Sequence, residues 1–344
     1  MLLKHKNTGI VGKVASGLVI DVHSHILPEN VVGLIRKEGS KYGASVQKRG
    51  SAEWVVHEQG YTYPLFRKFY DAEEKLLDMN DMGVDFTVLS PAPPMFMYWI
   101  DDELSTTFAR LVNEGTSRFV AANQQRFRGL ATVPLQNPTA AVEVLHEAAK
   151  LTGLCGVEIG TTVEGKTLDD ESYDAFFAAC ETLDWPVFLH PYYVGDKAGL
   201  SKYYLTNLIG NPLDTAIGAA SLIFGGVLDR HPKLRVLLAH GGGYLPYQIG
   251  RLDHGYTVRE ESKTCLENPS AYLRRFYYDE ITFNFKALSF LIQQVGADRV
   301  VIGTDYPFDM AESQPLDLLN QVPGLEPSSS KKIKELNPLQ LFRF

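Results

Sequence analysis

Cysteine is scarce in this sequence. Its 344 residues include three cysteines, Cys155, Cys180 and Cys265, and no two of them form a CxxC pair. Cysteines that are so few and so far apart do not have the pattern of a disulfide-stabilised secreted domain or of a cysteine-rich metal site. The sequence therefore indicates a protein of the reducing cytoplasm.

An excess of positive charge and a long apolar run are also missing. Lys and Arg total 33 against 41 Asp and Glu, which gives a net charge of −8. This balance provides no electrostatic basis for binding nucleic acid or an anionic membrane. No apolar run reaches the roughly 20 residues that a transmembrane helix needs. We therefore expect neither nucleic acid nor a membrane as a partner.

The composition that remains is globular, with 45% hydrophobic and 22% charged residues. Residues 1–16 are predicted to be a flexible N-terminal extension. They do not resemble a signal peptide, because Gly9, Gly12 and Lys13 interrupt the apolar stretch and it runs into the first predicted strand. Residues 17–344 are predicted to form one folded unit.

Short apolar runs alternate with segments of helical length along these residues. The predicted strands are Leu18–Val22, Phe86–Leu89, Gly129–Val133, Gly156–Ile159, Val187–Leu189, Arg235–Ala239, Phe276–Tyr278 and Arg299–Ile302. The predicted helices include Ala72–Met82, Ser105–Gln124, Thr139–Leu151, Asp169–Leu183 and Asp214–Arg230. Eight such repeats predict an α/β protein with a (β/α)8 TIM-type barrel. No GxGxxG follows the first strand, so we expect neither a dinucleotide-binding fold nor an organic cofactor.

One segment departs from the alternation. Residues 29–70 contain five glycines and several aromatic residues, with short extended runs at Trp54–His57 and Tyr61–Tyr63. About 40 residues are too few to hold a core of their own. The segment is predicted to be a small cap insertion that follows the first strand and covers the mouth of the barrel.

Residues able to bind a metal cluster at the predicted strand ends. The first strand ends in His23 and His25, the fifth in His190, the sixth in His240 and the eighth in Asp305. In an α/β barrel these ends surround one opening, and residues two apart on a strand point the same way. We predict that His23, His25, His190 and Asp305 bind zinc or a similar divalent metal. His240 would remain beside the ion as a general acid or base.

Each of these residues also has a simpler interpretation. Two histidines at a strand end are often incidental, His190 could be a buried histidine bonded to a carbonyl, and His240 could begin a tight turn. Asp305 could cap a helix. If all of these simpler interpretations held, five chemically competent residues would lie at the ends of four predicted strands by coincidence. The metal site is therefore favoured.

Several stretches carry a resemblance to a known family. They are IDVHSHILPE, PPMFMYW, GVEIGT, FLHP, IFGGVLDRHPKLRVLLAHGGGYLPYQIGRLDHGY and VVIGTDYPF. On these stretches the chain resembles the amidohydrolase superfamily and, within it, the branch typified by 2-amino-3-carboxymuconate 6-semialdehyde decarboxylase. The resemblance extends from about Val19 to the C-terminal region. The run that begins with HGGG and the GTDYPF stretch are specific to that branch, whereas HxH alone is not.

The resemblance implies a metal-dependent, non-oxidative decarboxylase of an unsaturated or aromatic carboxylic acid. It implies one ion, usually zinc with manganese as the alternative, on His23, His25, His190 and Asp305. It also implies a water on that ion, with His240 as the partner for proton transfer. His240 or Asp305 would then protonate the carbon that has lost its carboxylate.

The resemblance also implies residues that bind the substrate. An arginine matching Arg251 would reach the substrate carboxylate from the neighbouring subunit of a homodimer, unless Arg251 is a surface residue paired with Asp253. Arg67 is the nearest candidate for a second arginine in the cap, although its spacing is offset by one residue. Tyr192 replaces a tryptophan of the branch and is predicted, with Phe96, to line the pocket. The alternative for Phe96 is packing in the core or at a subunit interface.

Two other functions stay open at this stage. A hydrolase or hydratase on the same fold would open a lactone or hydrate a double bond, and neither the fold nor the metal site separates these reactions from decarboxylation. A catalytically silent barrel that serves as an interaction module would show a degenerate ligand set. All five chemically competent positions are intact in this sequence, so this third function ranks last.

Overall fold

Eight parallel strands form the centre of the molecule. The structure, a computed structural model, describes residues 17–192 and 199–344, so the predicted extension over residues 1–16 lies outside the described residues. The strands in chain order are β1 (Ile20–Ile26), β2 (Ala44–Arg49), β3 (Ala52–His57), β4 (Thr62–Pro64), β5 (Phe86–Pro91), β6 (Phe127–Ala131), β7 (Leu154–Gly160), β8 (Thr162–Val163), β9 (Lys166–Thr167), β10 (Val187–His190), β11 (Val236–Leu238), β12 (Phe276–Asp279) and β13 (Val300–Val301).

The main sheet closes on itself. Its order is β1-β5-β6-β7-β10-β11-β12-β13, and every neighbouring pair is parallel. Beyond β13, Ile302 pairs with Asp21, and its carbonyl oxygen accepts a hydrogen bond of 3.0 Å from the Val22 N–H. The two edges of the sheet therefore meet, and the prediction of a (β/α)8 barrel is confirmed.

Helices surround this sheet. They are α1 (Glu29–Glu38), α2 (Ala72–Asp81), α3 (Asp102–Ala122), α4 (Pro138–Ala148), α5 (Asp174–Leu183), α6 (Asn211–Phe224), α7 (Val227–Arg230), α8 (Leu245–Val258), α9 (Phe285–Val295), α10 (Pro315–Asn320), α11 (Pro327–Lys331) and α12 (Asn337–Phe342). The prediction of one helix over Asp214–Arg230 was wrong, because Gly226 has a left-handed φ of +66° and separates α6 from α7. No helix within the described ranges is long and apolar enough to cross a membrane.

Residues 29–70 form a small unit between β1 and α2. It consists of α1 and the antiparallel sheet β2-β3-β4, and β3 and β4 include the predicted extended runs. Gly50, with φ +63°, begins the two-residue turn that joins β2 to β3. Val31, Ile35 and Val55 pack in one apolar cluster with Phe108 of α3. This packing fixes the unit against the barrel.

The interior of the barrel is filled by apolar side chains at one end. The strands contribute Ile20, Val22, Phe86, Val88, Leu130, Phe188, Leu237, Ala239, Tyr277 and Val301, which form one buried cluster with Leu341 and Phe342. Strands buried on both faces are typical of parallel barrels. This end of the barrel is closed by apolar packing. The polar residues lie at the opposite end, where the strands have their carboxyl ends.

Candidate metal centre

The carboxyl end of β1 carries two histidines side by side. His23 and His25 are two residues apart on an extended strand, so their rings point in the same direction. Both residues are fully buried, and their Nε2 atoms lie 3.2 Å apart. Two buried imidazole nitrogens at this distance can bind the same cation.

His190 and Asp305 complete a cluster of four residues. His190 ends β10, and Asp305 follows β13 after a short connection. Asp305 Oδ1 lies 3.0 Å from His25 Nε2 and 3.4 Å from His23 Nε2. One ligand atom from each of the four residues lies within 4.8 Å of the others. The structure thus brings together the four residues that the sequence predicts as metal ligands.

The bonding of His190 tests whether this cluster fits a metal. Its Nδ1 lies 2.5 Å from the carbonyl oxygen of Pro191, a contact that places the proton on Nδ1 and a lone pair on Nε2. Nε2 is buried and has no hydrogen-bond partner among the described residues. A buried polar atom without a partner is unfavourable unless something binds it. Three imidazoles and a carboxylate suit zinc or a related divalent ion, so the residues fit a metal.

Asp279, which the sequence analysis missed, holds this cluster in place. Its Oδ2 accepts hydrogen bonds from His23 Nδ1 at 2.6 Å and from the His240 backbone N–H at 2.9 Å. Its Oδ1 accepts from the Gly241 N–H at 2.8 Å. Burial opposes ionisation, but these bonds, above all the one from His23, keep the pKa of Asp279 below its usual value. A carboxylate on Nδ1 leaves His23 Nε2 free to bind a metal.

The protonation states of the two histidines of β1 follow from the same contacts. Burial lowers the pKa of His25 to about 4, so its ring is neutral, and Ser90 Oγ lies 3.2 Å from its Nδ1. Burial also opposes the charging of His23, yet its hydrogen bonds to Asp279 and Asp305 raise its pKa to about 10. A metal ion would therefore bind in competition with a proton on His23.

A second carboxyl group lies behind the cluster. Glu158 of β7 is fully buried, and its Oε1 is 4.0 Å from His25 Nδ1. Burial raises the pKa of Glu158 well above its usual value. The group is therefore a neutral carboxyl, which is a poorer metal ligand than the carboxylate of Asp305.

His240 stands beside the four residues rather than among them. Its Nε2 lies 3.6 Å from Asp305 Oδ2, and its ring is 5.2 Å from that of His190. His240 and Asp305 both have left-handed backbones, with φ of +55° and +59°. Such conformations are strained for residues other than glycine and are frequent at functional sites. His240 is placed to exchange a proton next to the ion.

The glycines after His240 make this placement possible. Gly241, Gly242 and Gly243 all have positive φ. A Cβ on Gly243 would clash with the carbonyl oxygen of Pro212. Only glycine therefore allows the chain to turn here and begin α8 so close to α6.

Aromatic residues follow three of the barrel strands, β5, β10 and β13. Phe96 is buried and stacks on Tyr98 with ring centroids 5.5 Å apart, and its ring lies 5.9 Å from that of Tyr192. The structure thus brings Phe96 and Tyr192 together. Phe308, which the sequence analysis missed, lies 5.2 Å from the ring of His25 and 5.1 Å from that of Phe69. The aromatic residue in GTDYPF was the signal that could have identified it.

The two predicted arginines lie on the surface. Arg67 is 66% exposed at its side chain and forms ion pairs with Asp71 and Glu74. Arg251 is an exposed residue of α8. Asp253 accepts a hydrogen bond from the Ser270 N–H at 2.9 Å, and no ion pair joins it to Arg251 in the described ranges. Neither arginine forms a hydrogen bond or an ion pair with the four clustered residues in the part of the chain that the structure describes.

Comparisons with known proteins place this geometry in a family. The model of the amidohydrolase family matches residues 20–344. A 2-amino-3-carboxymuconate-6-semialdehyde decarboxylase of Dictyostelium discoideum is 34% identical, over 94% of this chain and 91% of that protein. A gamma-resorcylate decarboxylase of Polaromonas sp. is 29% identical, over 67% of this chain and 75% of that protein.

A solved structure has the same fold. It is the 5-carboxyvanillate decarboxylase of Novosphingobium aromaticivorans with bound manganese and 3-methoxy-4-hydroxy-5-nitrobenzoic acid. Its TM-score is 0.81 at 22% identity, and the superposition covers 97% of this chain and 99% of that one. The family match over residues 20–344 and the relatives above show that this chain is a member of the amidohydrolase family, in the branch whose members are named as decarboxylases.

Proposed function

We propose that this chain is a metal-dependent, non-oxidative decarboxylase of an aromatic or unsaturated carboxylic acid. The observation that carries the proposal is the buried cluster of three imidazoles and one carboxylate, with His190 Nε2 unpartnered among the described residues and His240 alongside. The relatives support the class of reaction, because they are named as decarboxylases of carboxylic acids. The hydrolase or hydratase alternative has less support from these comparisons.

A divalent ion held by His23, His25, His190 and Asp305 would supply a Lewis acid that stabilises negative charge on the substrate. In the reaction the bond between the carboxyl carbon and its neighbour breaks, carbon dioxide leaves, and the remaining electron pair takes up a proton. His240 is the residue placed to deliver that proton from Nε2.

The ionisation of the Asp305 carboxyl group distinguishes its proposed role from that of His240. Burial opposes its ionisation, but the imidazoles of His23, His240 and His25, which lie 3.4, 3.6 and 3.0 Å from its oxygens, hold the pKa of Asp305 well below its usual value. Asp305 is therefore a carboxylate, which favours roles as a ligand and as the negative charge that faces His240 Nε2. The proton for the product comes from His240.

For the metal we propose zinc, with manganese as the alternative that the structural neighbour suggests. Metal analysis of the purified protein should find about one ion per chain, because one four-residue cluster is present in the described ranges. The double variant His23→Ala/His25→Ala should lose this ion. If the double variant keeps its metal and its activity, the metal site lies elsewhere.

The reaction is tested by supplying candidate aromatic and unsaturated acids and measuring the carbon dioxide released. Decarboxylation of at least one acid, dependent on the metal and lost in His240→Asn, is the expected result. Turnover of lactones with no carbon dioxide from any acid would favour the hydrolase alternative instead. Phe96, Tyr192 and Phe308 are proposed to form the wall against which the substrate packs, since Phe96 contacts Tyr192, which closely follows His190, and Phe308 contacts His25.

A homodimer is the proposed active unit. A groove of about 460 Å³ between α6 and α8 has an almost entirely apolar lining. Its lining residues are Leu213, Ala216, Ile217, Ala220, Tyr244, Leu245, Gln248 and Leu252. On the same helix α8, Tyr247 is 75% exposed. Contiguous apolar surface of this kind is typical of interfaces, and a second copy of this chain would bring its Arg251 toward this face.

We propose that Arg251 binds the substrate carboxylate across this interface, since a planar guanidinium pairs with a carboxylate through two hydrogen bonds. Arg67 would contribute a second contact only if its pairs with Asp71 and Glu74 open. The test mixes Arg251→Ala with His240→Ala under conditions of subunit exchange. Mixed dimers should regain one intact site. No recovery, despite demonstrated exchange, would place Arg251 in its own subunit's site or outside catalysis.

The cytoplasm is the proposed location. Cys155, Cys180 and Cys265 are all free thiols in the structure, as expected in a reducing compartment. Fractionation of cells that express the protein at its natural level would test the location.

A further inference from the structure

A lysine of α2 is completely buried next to the metal centre. Lys75 has no exposed surface, although α2 faces solvent on its other side, where Leu77 is 65% exposed. Removing an ammonium group from water is strongly unfavourable unless the protein replaces the lost contacts. The contacts of Lys75 therefore indicate what this buried amino group does.

The side-chain amino group contacts two of the three strand ends that carry the proposed metal ligands. Nζ donates a hydrogen bond of 3.0 Å to the carbonyl oxygen of His25. It also lies 4.4 Å from the centre of the Tyr306 ring, and Tyr306 directly follows the ligand Asp305. The His25 N–H donates to the Tyr306 carbonyl oxygen at 2.6 Å. Lys75 therefore lies at the junction between the ends of β1 and β13.

The groups around Lys75 hold one another in position through hydrogen bonds and an ion pair. The Tyr306 hydroxyl donates to Asp78 Oδ2 at 2.6 Å, and Lys68 Nζ lies 2.6 Å from the same oxygen. The carboxyl group of Asp21 accepts from Thr304 Oγ1 at 2.7 Å. Burial lowers the pKa of Lys75 to about 7, and the electrostatic effect of Asp21 opposes this shift. Within the described ranges no carboxylate oxygen lies within 4.0 Å of Lys75 Nζ. Its direct partners are thus a ligand's backbone carbonyl and the ring beside another ligand.

We infer that Lys75 is a positioning residue for the metal centre. It holds the backbone of His25 and the Asp305–Tyr306 segment at the distance that one ion requires. It reaches the backbone rather than the ring of His25, so it takes no part in the chemistry itself. The inference rests on the proposed metal-dependent function. Groups that orient metal ligands in this way typically change metal affinity about 10–100-fold when they are removed.

The test compares two substitutions on the buried face of α2. Lys75→Met keeps a long side chain but removes the amino group and its hydrogen bond. Met79→Ala is the control, because Met79 is 1% exposed on the same helix and its loss leaves a cavity without touching the ligands. Metal-free protein is titrated with Mn²⁺ against a chromophoric chelator, and the spectrum of bound Mn²⁺ is recorded by electron paramagnetic resonance.

Lys75→Met should bind Mn²⁺ at least about 10-fold more weakly than the wild type and give an altered spectrum. Met79→Ala should lower the thermal midpoint while its affinity stays within about twofold. Equal affinity and equal spectra for Lys75→Met and the wild type would overturn the inference and leave the proposed metal centre standing. If the wild type itself binds no ion, the metal centre is wrong and the inference fails with it.

A second pair of variants decides the matter if Lys75→Met does not fold. Tyr306→Phe keeps the aromatic ring that faces the ammonium group, whereas Tyr306→Leu removes it. Weaker Mn²⁺ binding by the leucine variant than by the phenylalanine variant supports the inference. Equal binding by the two variants overturns it.

Discussion

Replacing Asp279 by asparagine should weaken metal binding about 10–100-fold, or about 1.4–2.7 kcal/mol. Asp279 uses both oxygens as acceptors. Oδ2 accepts from His23 Nδ1 and the His240 N–H, and Oδ1 accepts from the N–H groups of Gly241 and Ile281. An asparagine has one acceptor oxygen, so its NH₂ group must face two of these donors in either orientation.

The consequence for His23 follows from its tautomer. If the NH₂ group replaces Oδ2, His23 Nδ1 must accept a hydrogen bond, and the proton moves to Nε2. That nitrogen lies 3.2 Å from His25 Nε2, at the centre of the proposed site, and a protonated nitrogen cannot bind a metal. If the amide is oriented the other way, the Gly241 and Ile281 N–H groups lose their acceptor. Each buried donor left unpaired costs about 1–3 kcal/mol of stability.

Glu280→Gln is the matched control. Glu280 is the next residue, it is fully buried, and its carboxyl oxygens have no hydrogen-bond partner among the described residues. Chelator competition with Zn²⁺ and Mn²⁺ measures the affinity of both variants, and nitrogen-15 spectra of the imidazoles report the tautomer of His23. If Asp279→Asn and Glu280→Gln bind metal as tightly as the wild type, the argument that Asp279 sets this tautomer is wrong.

Three further predictions concern proton transfer, the glycine turn and the cap. His240→Asn should keep its metal and lose about 10²–10⁴-fold in turnover, whereas loss of the metal as well would identify His240 as a ligand. Gly243→Ala should lower the free energy of unfolding in urea by about 2 kcal/mol or more, since φ is +60° and the new Cβ would clash with Pro212; unchanged stability would refute this clash. Burial lowers the pKa of His57 to about 4, below the value of about 6.5 in an unfolded chain, so protons favour the unfolded state as the pH falls from about 7 toward 4. The protein should be about 2 kcal/mol less stable at pH 5 than at pH 7.5 through this residue, and His57→Leu should reduce that difference; an equal pH dependence in both proteins would contradict it.

The barrel could be predicted because its evidence is local. Parallel strands that are buried on both faces are continuous apolar runs, and the runs at Phe86–Leu89 and Val187–Leu189 lie within β5 and β10. Such predictions fail where a glycine changes the backbone conformation. Gly226, for example, divides the single helix that the sequence predicts over Asp214–Arg230. The apolar pattern continues through that position, but the backbone conformation does not.

The candidate ligands could be predicted from the sequence alone because each of them lies at or just after the carboxyl end of a strand, and the barrel topology directs all these ends to one mouth. Their partners could not. Asp279 meets His23 across 256 positions of the chain, and Lys75 meets His25 across 50. Contacts between residues so distant in sequence leave no short-range pattern, because they depend on which side chains face each other after the sheet has closed. The sequence thus determined the barrel and the residue types around its mouth, while the protonation of His23 and His25 and the alignment of the ligands arose from contacts that exist only in the folded chain.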